Sequence, residues 1–315
     1  MVQDASALTQ VNPRHAVVRS NDENQKRMTV MFKDLLVPTT TTDGDDNAID
    51  AGIALAGIFE ARLTVLQLVN LPRSIMNPWG LMPGGLMPDV AMSDVYSRLR
   101  AQGEINLGRI RNKLDKQGVP SAVRMVETAL MEPAGIAAHH AHYADLAIVA
   151  GARGDSQEAS AALAFVGALL LESGRPVLVV PPGYKLEAPA DRILLAWRPT
   201  REAARAIHDA MPFLQRATQV DIVVVDAVGD DLAHGSEPGA DVAVHLADHG
   251  IEANVVRLDS GQRSVGATLL EQARGSAMQM IVAGGYGHSR MREWALGGAT
   301  RDLLTASPVP VLLAH

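Results

Sequence analysis

At 315 residues the chain is about two domains long, taking roughly 150 residues per domain. An apolar fraction of 47 % with only 3 % aromatic residues points to globular, aliphatic cores. A net charge of −7 argues against a general nucleic-acid binder, which needs a basic face, and the lack of cysteine excludes disulfides, thiolate metal sites and cysteine nucleophiles.

Residues 1–30 are polar and mixed in charge, without an apolar signal core, and read as a disordered leader; Met28 and Met31 are alternative starts. The longest nearly apolar run, Ala159–Leu171, is shorter than the ~18–20 residues that span a bilayer. These features give the expectation of a cytoplasmic protein with no membrane partner.

From residue 31 onward one unit occurs twice. "DLLVPTTTTDGDDNAIDAGIALAGIFEARLTVLQLVN" (34–70) parallels "RILLAWRPTREAARAIHDAMPFLQRATQVDIVVVDA" (192–227), each an apolar run, a polar turn, a helical stretch and a second apolar run. "ADLAIVAGARG" (144–154) parallels "MQMIVAGGYG" (278–287), and "SGRPVLVVP" (173–181) parallels "SPVPVLLA" (307–314). The runs Leu63–Val69, Leu146–Ala150, Ile222–Val225 and Met280–Ala283 are continuously apolar. Such runs suit strands of a parallel sheet buried on both faces. Helical patterns separate them at Ser93–Gln117, Pro133–Tyr143, Arg201–Arg216, Val265–Arg274 and Arg290–Thr305. Alternating strands and helices predict an α/β fold, with five strands and four helices per half.

Domain 1 is expected at 31–182 and domain 2 at 190–315, joined by the proline- and charge-bearing "PPGYKLEAPAD" (181–191). The first half also carries a stretch rich in Pro, Gly and Met at 70–96. It reads as a long surface loop or, in a sharper reading, as a lid or partner-docking loop over 71–95.

The order of these motifs, repeated twice over Phe32–His315, resembles the universal stress protein family in a tandem, two-domain form. The resemblance implies two doubly wound domains, each a five-stranded parallel sheet of order 3-2-1-4-5 with helices on both faces. It also implies dimer-like pairing through the last strands, here within one chain, with a homodimer as a further option. Ligands of such open sheets sit beyond the carboxyl ends of the strands, at the switch point in strand order.

Nucleotide-binding members of that family carry G-x-x-G, nine residues, then Gly followed by Ser or Thr. In the second half Gly284 and Gly287 supply G-x-x-G, and nine residues lead to Gly297. Glycines let backbone N–H groups approach phosphate, and a helix N-terminus adds a favourable dipole. Ser289 and Arg290 are placed to add donors. The expected site is therefore Gly284, Gly287, Ser289, Arg290, Gly297 and Gly298, with ATP or another nucleotide as candidate ligand. Two departures weaken it. Gly298 stands where the family has Ser or Thr, and Arg198 stands where nucleotide binders carry an adenosine-holding Asp. In the first half Thr40 occupies that Asp position, with Asp43 and Asp45 close by. Gly151 and Gly154 keep G-x-x-G there, but Ala164 replaces the later Gly.

"HHAH" (139–142) and the pair His245/His249 read as solvated or capping histidines, because neither has a third ligand at a recognised metal spacing. Nucleophile-elbow and Walker patterns are missing from the sequence, and Glu127 with Glu132 is a possible acid pair by position alone. The resulting expectation is a non-catalytic stress-response factor binding a nucleotide or anion weakly in its second domain. The alternatives are an interaction module docking a protein through the 71–95 loop, and a nucleotide hydrolase.

Overall fold

The structure is a computed structural model that describes residues 31–39, 44–71, 88–128, 131–154, 157–227, 237–285 and 297–315. The expected leader and most of the 71–95 loop lie outside these residues. Phe32–His315 forms one compact unit.

The first repeat runs β1 (Asp34–Pro38), α1 (Asp45–Phe59), β2 (Arg62–Asn70), α2 (Pro88–Asp115), β3 (Ser121–Thr128), α3 (Pro133–Ala141), β4 (Leu146–Ala150), α4 (Gln157–Glu172) and β5 (Val177–Val180). The second runs β6 (Arg192–Ala196), α5 (Arg201–Leu214), β7 (Gln219–Val225), α6 (Ala240–Asp248), β8 (Ala253–Leu258), α7 (Val265–Gly275), β9 (Met280–Gly284), α8 (Gly298–Ala306) and β10 (Val311–Ala314). Two expected helix starts move. α2 begins at Pro88, five residues before the expected Ser93, so the end of the 71–95 stretch is helix. Proline suits the first helical position, where its missing N–H is not needed and its φ is already helical. The helix expected over Arg290–Thr305 is described only as α8 from Gly298, after its N-cap Gly297, and residues 290–296 lie outside the described residues.

All ten strands form one sheet, ordered β3-β2-β1-β4-β5-β10-β9-β6-β7-β8. Each repeat thus has the order 3-2-1-4-5 with parallel neighbours, as the resemblance implied. The halves join where β5 meets β10 antiparallel, with Val179 opposite Val311 and Leu178 opposite Leu312. Both strands are fully buried. The pairing supplies backbone partners to two edges that would otherwise be open to aggregation.

Side chains alternate between the faces of the strands, so each continuous apolar run feeds two cores. Leu35 and Val37 belong to a core that also takes residues from α1, α2, α5 and α6, whereas Leu36 belongs to a core shared with α3, α4, α7 and α8. The cores are mostly aliphatic, as the composition requires, with one aromatic exception. Phe32 and Phe59 of the first repeat meet Phe213 of the second, with ring centroids 5.1 to 5.3 Å apart. Three of the four phenylalanines are therefore used to tie the two repeats together on one face.

The connection after β5 is held from both sides. The Asn47 side-chain amide donates to Tyr184 O at 2.7 Å, and the Tyr184 hydroxyl donates to Gln279 O at 3.2 Å. The Gln279 side-chain oxygen accepts from the backbone N–H of Asp191 at 2.7 Å. No described helix is long and apolar enough to cross a membrane.

Candidate functional site

In each repeat the strand order reverses between its first and fourth strands, which are β1 and β4 in the first and β6 and β9 in the second. The helix that follows each of these strands runs back against the sheet, so its N-terminus opens at the carboxyl edge. That edge is where a parallel sheet of this type takes ligands.

In the second repeat β6 ends at Ala196, and Trp197 N–H donates to Val223 O at 2.9 Å. Arg198 is exposed, and Thr200 then caps α5, its hydroxyl accepting from Ala203 N–H at 3.3 Å. β9 ends at Gly284 directly against this first turn. A Cβ on Gly284 would stand 2.6 Å from Ala203 N and 2.7 Å from Glu202 C. Backbone cannot yield at such distances, so Gly284 is required by strand-on-helix packing irrespective of any ligand.

Glu202, in that first turn, is a site residue the sequence analysis missed. It is 5 % exposed, and its carboxylate accepts from Arg201 Nε at 2.5 Å. Burial pushes its carboxyl up, but hydrogen bonds from Arg201, its own backbone N–H and Thr200 outweigh this. The net value lies below the usual one. A permanent anion thus occupies the positive end of α5. The signal available in sequence was an acid two places after a capping Thr.

The other helix at this edge, α8, opens differently. Gly297 is its N-cap and Gly298 its first residue; both are exposed, and a Cβ on either would meet nothing within 4 Å. No side chain caps this end among the described residues. Of the six expected site residues, Gly284, Gly297 and Gly298 are thus described, whereas Gly287, Ser289 and Arg290 lie outside the described residues.

The first repeat is built otherwise. Thr39, the register counterpart of Trp197, is buried; its hydroxyl donates to Leu66 O at 3.3 Å and accepts from Leu68 N–H at 3.2 Å. Thr40 and Asp43 lie outside the described residues, and Asp45 is the first residue of α1. The two G-x-x-G stretches are also not equivalent. Asp145 N–H donates to Asp34 O as Gln279 N–H donates to Arg192 O, and Gly151 N–H donates to Val180 O as Gly285 N–H donates to Ala314 O. Gly151 therefore matches Gly285, and Ala150 holds the position of Gly284. The apparent parallel of Gly151 with Gly284 is out of register by one residue. Gly154, at φ +71°, donates its N–H to Thr305 O of α8 at 3.3 Å. A donor that would face phosphate is spent on the other repeat.

The remaining candidates have structural explanations. Glu127 is bound by Arg100 Nε at 2.8 Å, and Glu132 is the N-cap residue of α3. His142 caps α3, with Nδ1 3.0 Å from His139 O. No group of three or more His, Asp or Glu residues suited to a metal converges among the described residues. A cavity of about 180 Å³ beside Tyr184, Gln279, Met280 and Pro310 opens at the amino ends of the strands, opposite the switch points.

No family model matches the sequence, and no curated protein does either. Solved structures do match. A universal stress protein from Archaeoglobus fulgidus superposes with a TM-score of 0.65 at 18 % identity, over 89 % of this chain and 97 % of that one. A putative universal stress protein from Pseudomonas aeruginosa gives a TM-score of 0.53 at 13 % identity, over 90 % of this chain and 93 % of that one. Matches that span both repeats agree with the continuous sheet and with the strand order of each half. The chain has the fold of a tandem universal stress protein.

Proposed function

We propose that the protein is a non-catalytic stress-response factor that takes a nucleotide, or another phosphate-bearing anion, weakly in its second repeat. The observation that carries this reading is the open start of α8. Gly297 and Gly298 present an exposed backbone end at the carboxyl edge, beside the switch point of β6 and β9. Unsatisfied N–H groups and the helix dipole favour an anion there. Glu202 already fills the neighbouring positive end of α5, which directs phosphate to α8. Among the described residues of the first repeat, Gly154 N–H is already bound to Thr305 O and is not available to phosphate.

Phosphates dominate the contact on this reading, because the position of the adenosine-holding Asp is Arg198. Losing a hydrogen bond to a charged partner costs about 1.5–3 kcal/mol, roughly 10–150-fold in affinity. Binding is thus weak and poorly selective among bases. With no cluster of acidic or histidine ligands among the described residues, the reading assigns no hydrolytic step.

Titration calorimetry of the full chain with ATP, GTP and pyrophosphate tests it. Similar, weak affinities for all three, abolished by Gly287→Val, are expected. Tight adenine-selective binding would overturn the role given to Arg198, and silence with all three would overturn the site.

A further inference from the structure

We propose that His245 and His249 on α6 form a two-imidazole site for a borderline divalent cation of the zinc class. Residues four apart lie on one face of a helix, and the two rings stand with centroids 4.9 Å apart. Val242 and Leu246 on the same helix are buried, while both histidines are exposed. The helix is thereby anchored by its apolar side while the imidazoles stay in water. Imidazole nitrogen is the donor that zinc and its neighbours prefer over magnesium or calcium.

The surroundings favour positive charge. His249 is the C-cap of α6 and His245 lies in its last turn, at the negative end of the helix dipole. From Ala240 to Val256 the sequence carries Asp241, Asp248 and Glu252, and Arg257 on β8 is engaged at the opposite end of α6, donating to Pro238 O at 3.2 Å and pairing with Glu237 at 3.5 Å. A comparison with α3 shows what this adds. There His139 and His142 are three apart with centroids at 5.8 Å, and His142 Nδ1 is engaged by the His139 carbonyl. The charge of Arg124 also bears on that cluster through His140. The four-residue spacing and the closer ring pair of α6 are thus missing on α3.

Because no third His, Asp or Glu converges among the described residues, water completes the coordination. Closed structural zinc sites instead use four protein ligands. The consequence is local. α6 is nine residues long and begins at Gly239 without a side-chain cap. It packs on β8, the outer strand of the sheet. A cation joining positions 245 and 249 clamps its last turn.

The test is calorimetric titration of tag-free, chelator-treated full chain with zinc chloride, using magnesium chloride as the control cation. One zinc per chain is expected, with no magnesium binding. His245→Asn or His249→Asn alone is expected to weaken zinc at least about tenfold by removing the chelate. The double variant is expected to abolish binding, while His139→Asn with His142→Asn leaves it unchanged. Amide hydrogen exchange across α6 is expected to slow on zinc addition in the parent chain alone. Zinc binding that survives the α6 double variant, binding lost with the α3 variant, or no zinc heat at millimolar concentration would each overturn the proposal.

Discussion

The carboxyl edges of the two repeats have the same strand order and very different chemistry. In the second, β9 ends in a glycine pressed on the first turn of α5, a buried carboxylate fills that turn, and the start of α8 is open. In the first, Ala150 stands where Gly284 stands, Thr39 is tied to the backbone of β2, and Gly154 reaches across to α8. The difference teaches that a glycine pattern is not a site. Gly284 is demanded by packing and Gly154 by its positive φ, whereas Gly297 and Gly298 are exposed and meet no such constraint among the described residues.

The comparison breaks most readily at Gly284. Gly284→Val drives a branched side chain into the backbone of Glu202 and Ala203 and is expected to cost about 2–4 kcal/mol, seen as a melting temperature lower by several degrees. Ala150→Gly, at the matching position, is expected to cost about 1 kcal/mol or less, from added chain freedom alone. Equal losses at the two positions would mean the close approach is not real.

Glu202→Gln sharpens the electrostatic half of the contrast and is expected to cost on the order of 1–3 kcal/mol. The folded carboxyl lies below the ordinary glutamate value of 4.5, so its contribution is present above that pH. It is lost as pH falls through the lower folded value. Melts from pH 7 down to 3 are therefore expected to converge for parent and variant at the acidic end. The same variant removes an anion from the edge, and pyrophosphate is expected to bind it more tightly than the parent by calorimetry. Unchanged or weaker binding would place the anion away from α5.

Arg198→Asp introduces an acceptor at the end of β6, the position that the proposed reading assigns to contact with adenosine. About a tenfold gain for ATP over GTP is expected, worth ~1.4 kcal/mol, in a competition titration. No gain would mean that the base does not approach this strand end.

The smallest effect is expected at Gly151. A Cβ there would stand 3.1 Å from a Val179 side-chain methyl and 3.2 Å from Val180 O. Gly151→Ala is expected to lower stability by under about 1 kcal/mol and, on the proposed reading that binding belongs to the second repeat, to leave every ligand titration unchanged. A loss of nucleotide binding on this change would assign the site to the wrong repeat.

By itself the sequence determined the repeat, the strand runs and the helices, because buried parallel strands must be apolar on both faces and helices must be amphipathic. The runs at Leu146–Ala150 and Met280–Ala283 could be read for that reason, whereas the pairing of the last strands was implied by the family resemblance. Local pattern could not determine register. The one-residue offset between Gly151 and Gly284 appears only when backbone N–H groups find their partners on β5 and β10. Nor could it reveal that Phe32, Phe59 and Phe213, far apart in the chain, close one joint between the repeats. Glu202 looked like an ordinary acid in a first helical turn. Tertiary structure made it a buried anion by bringing the end of β9 against that turn, and burial is a property of neighbours that no local stretch of sequence encodes.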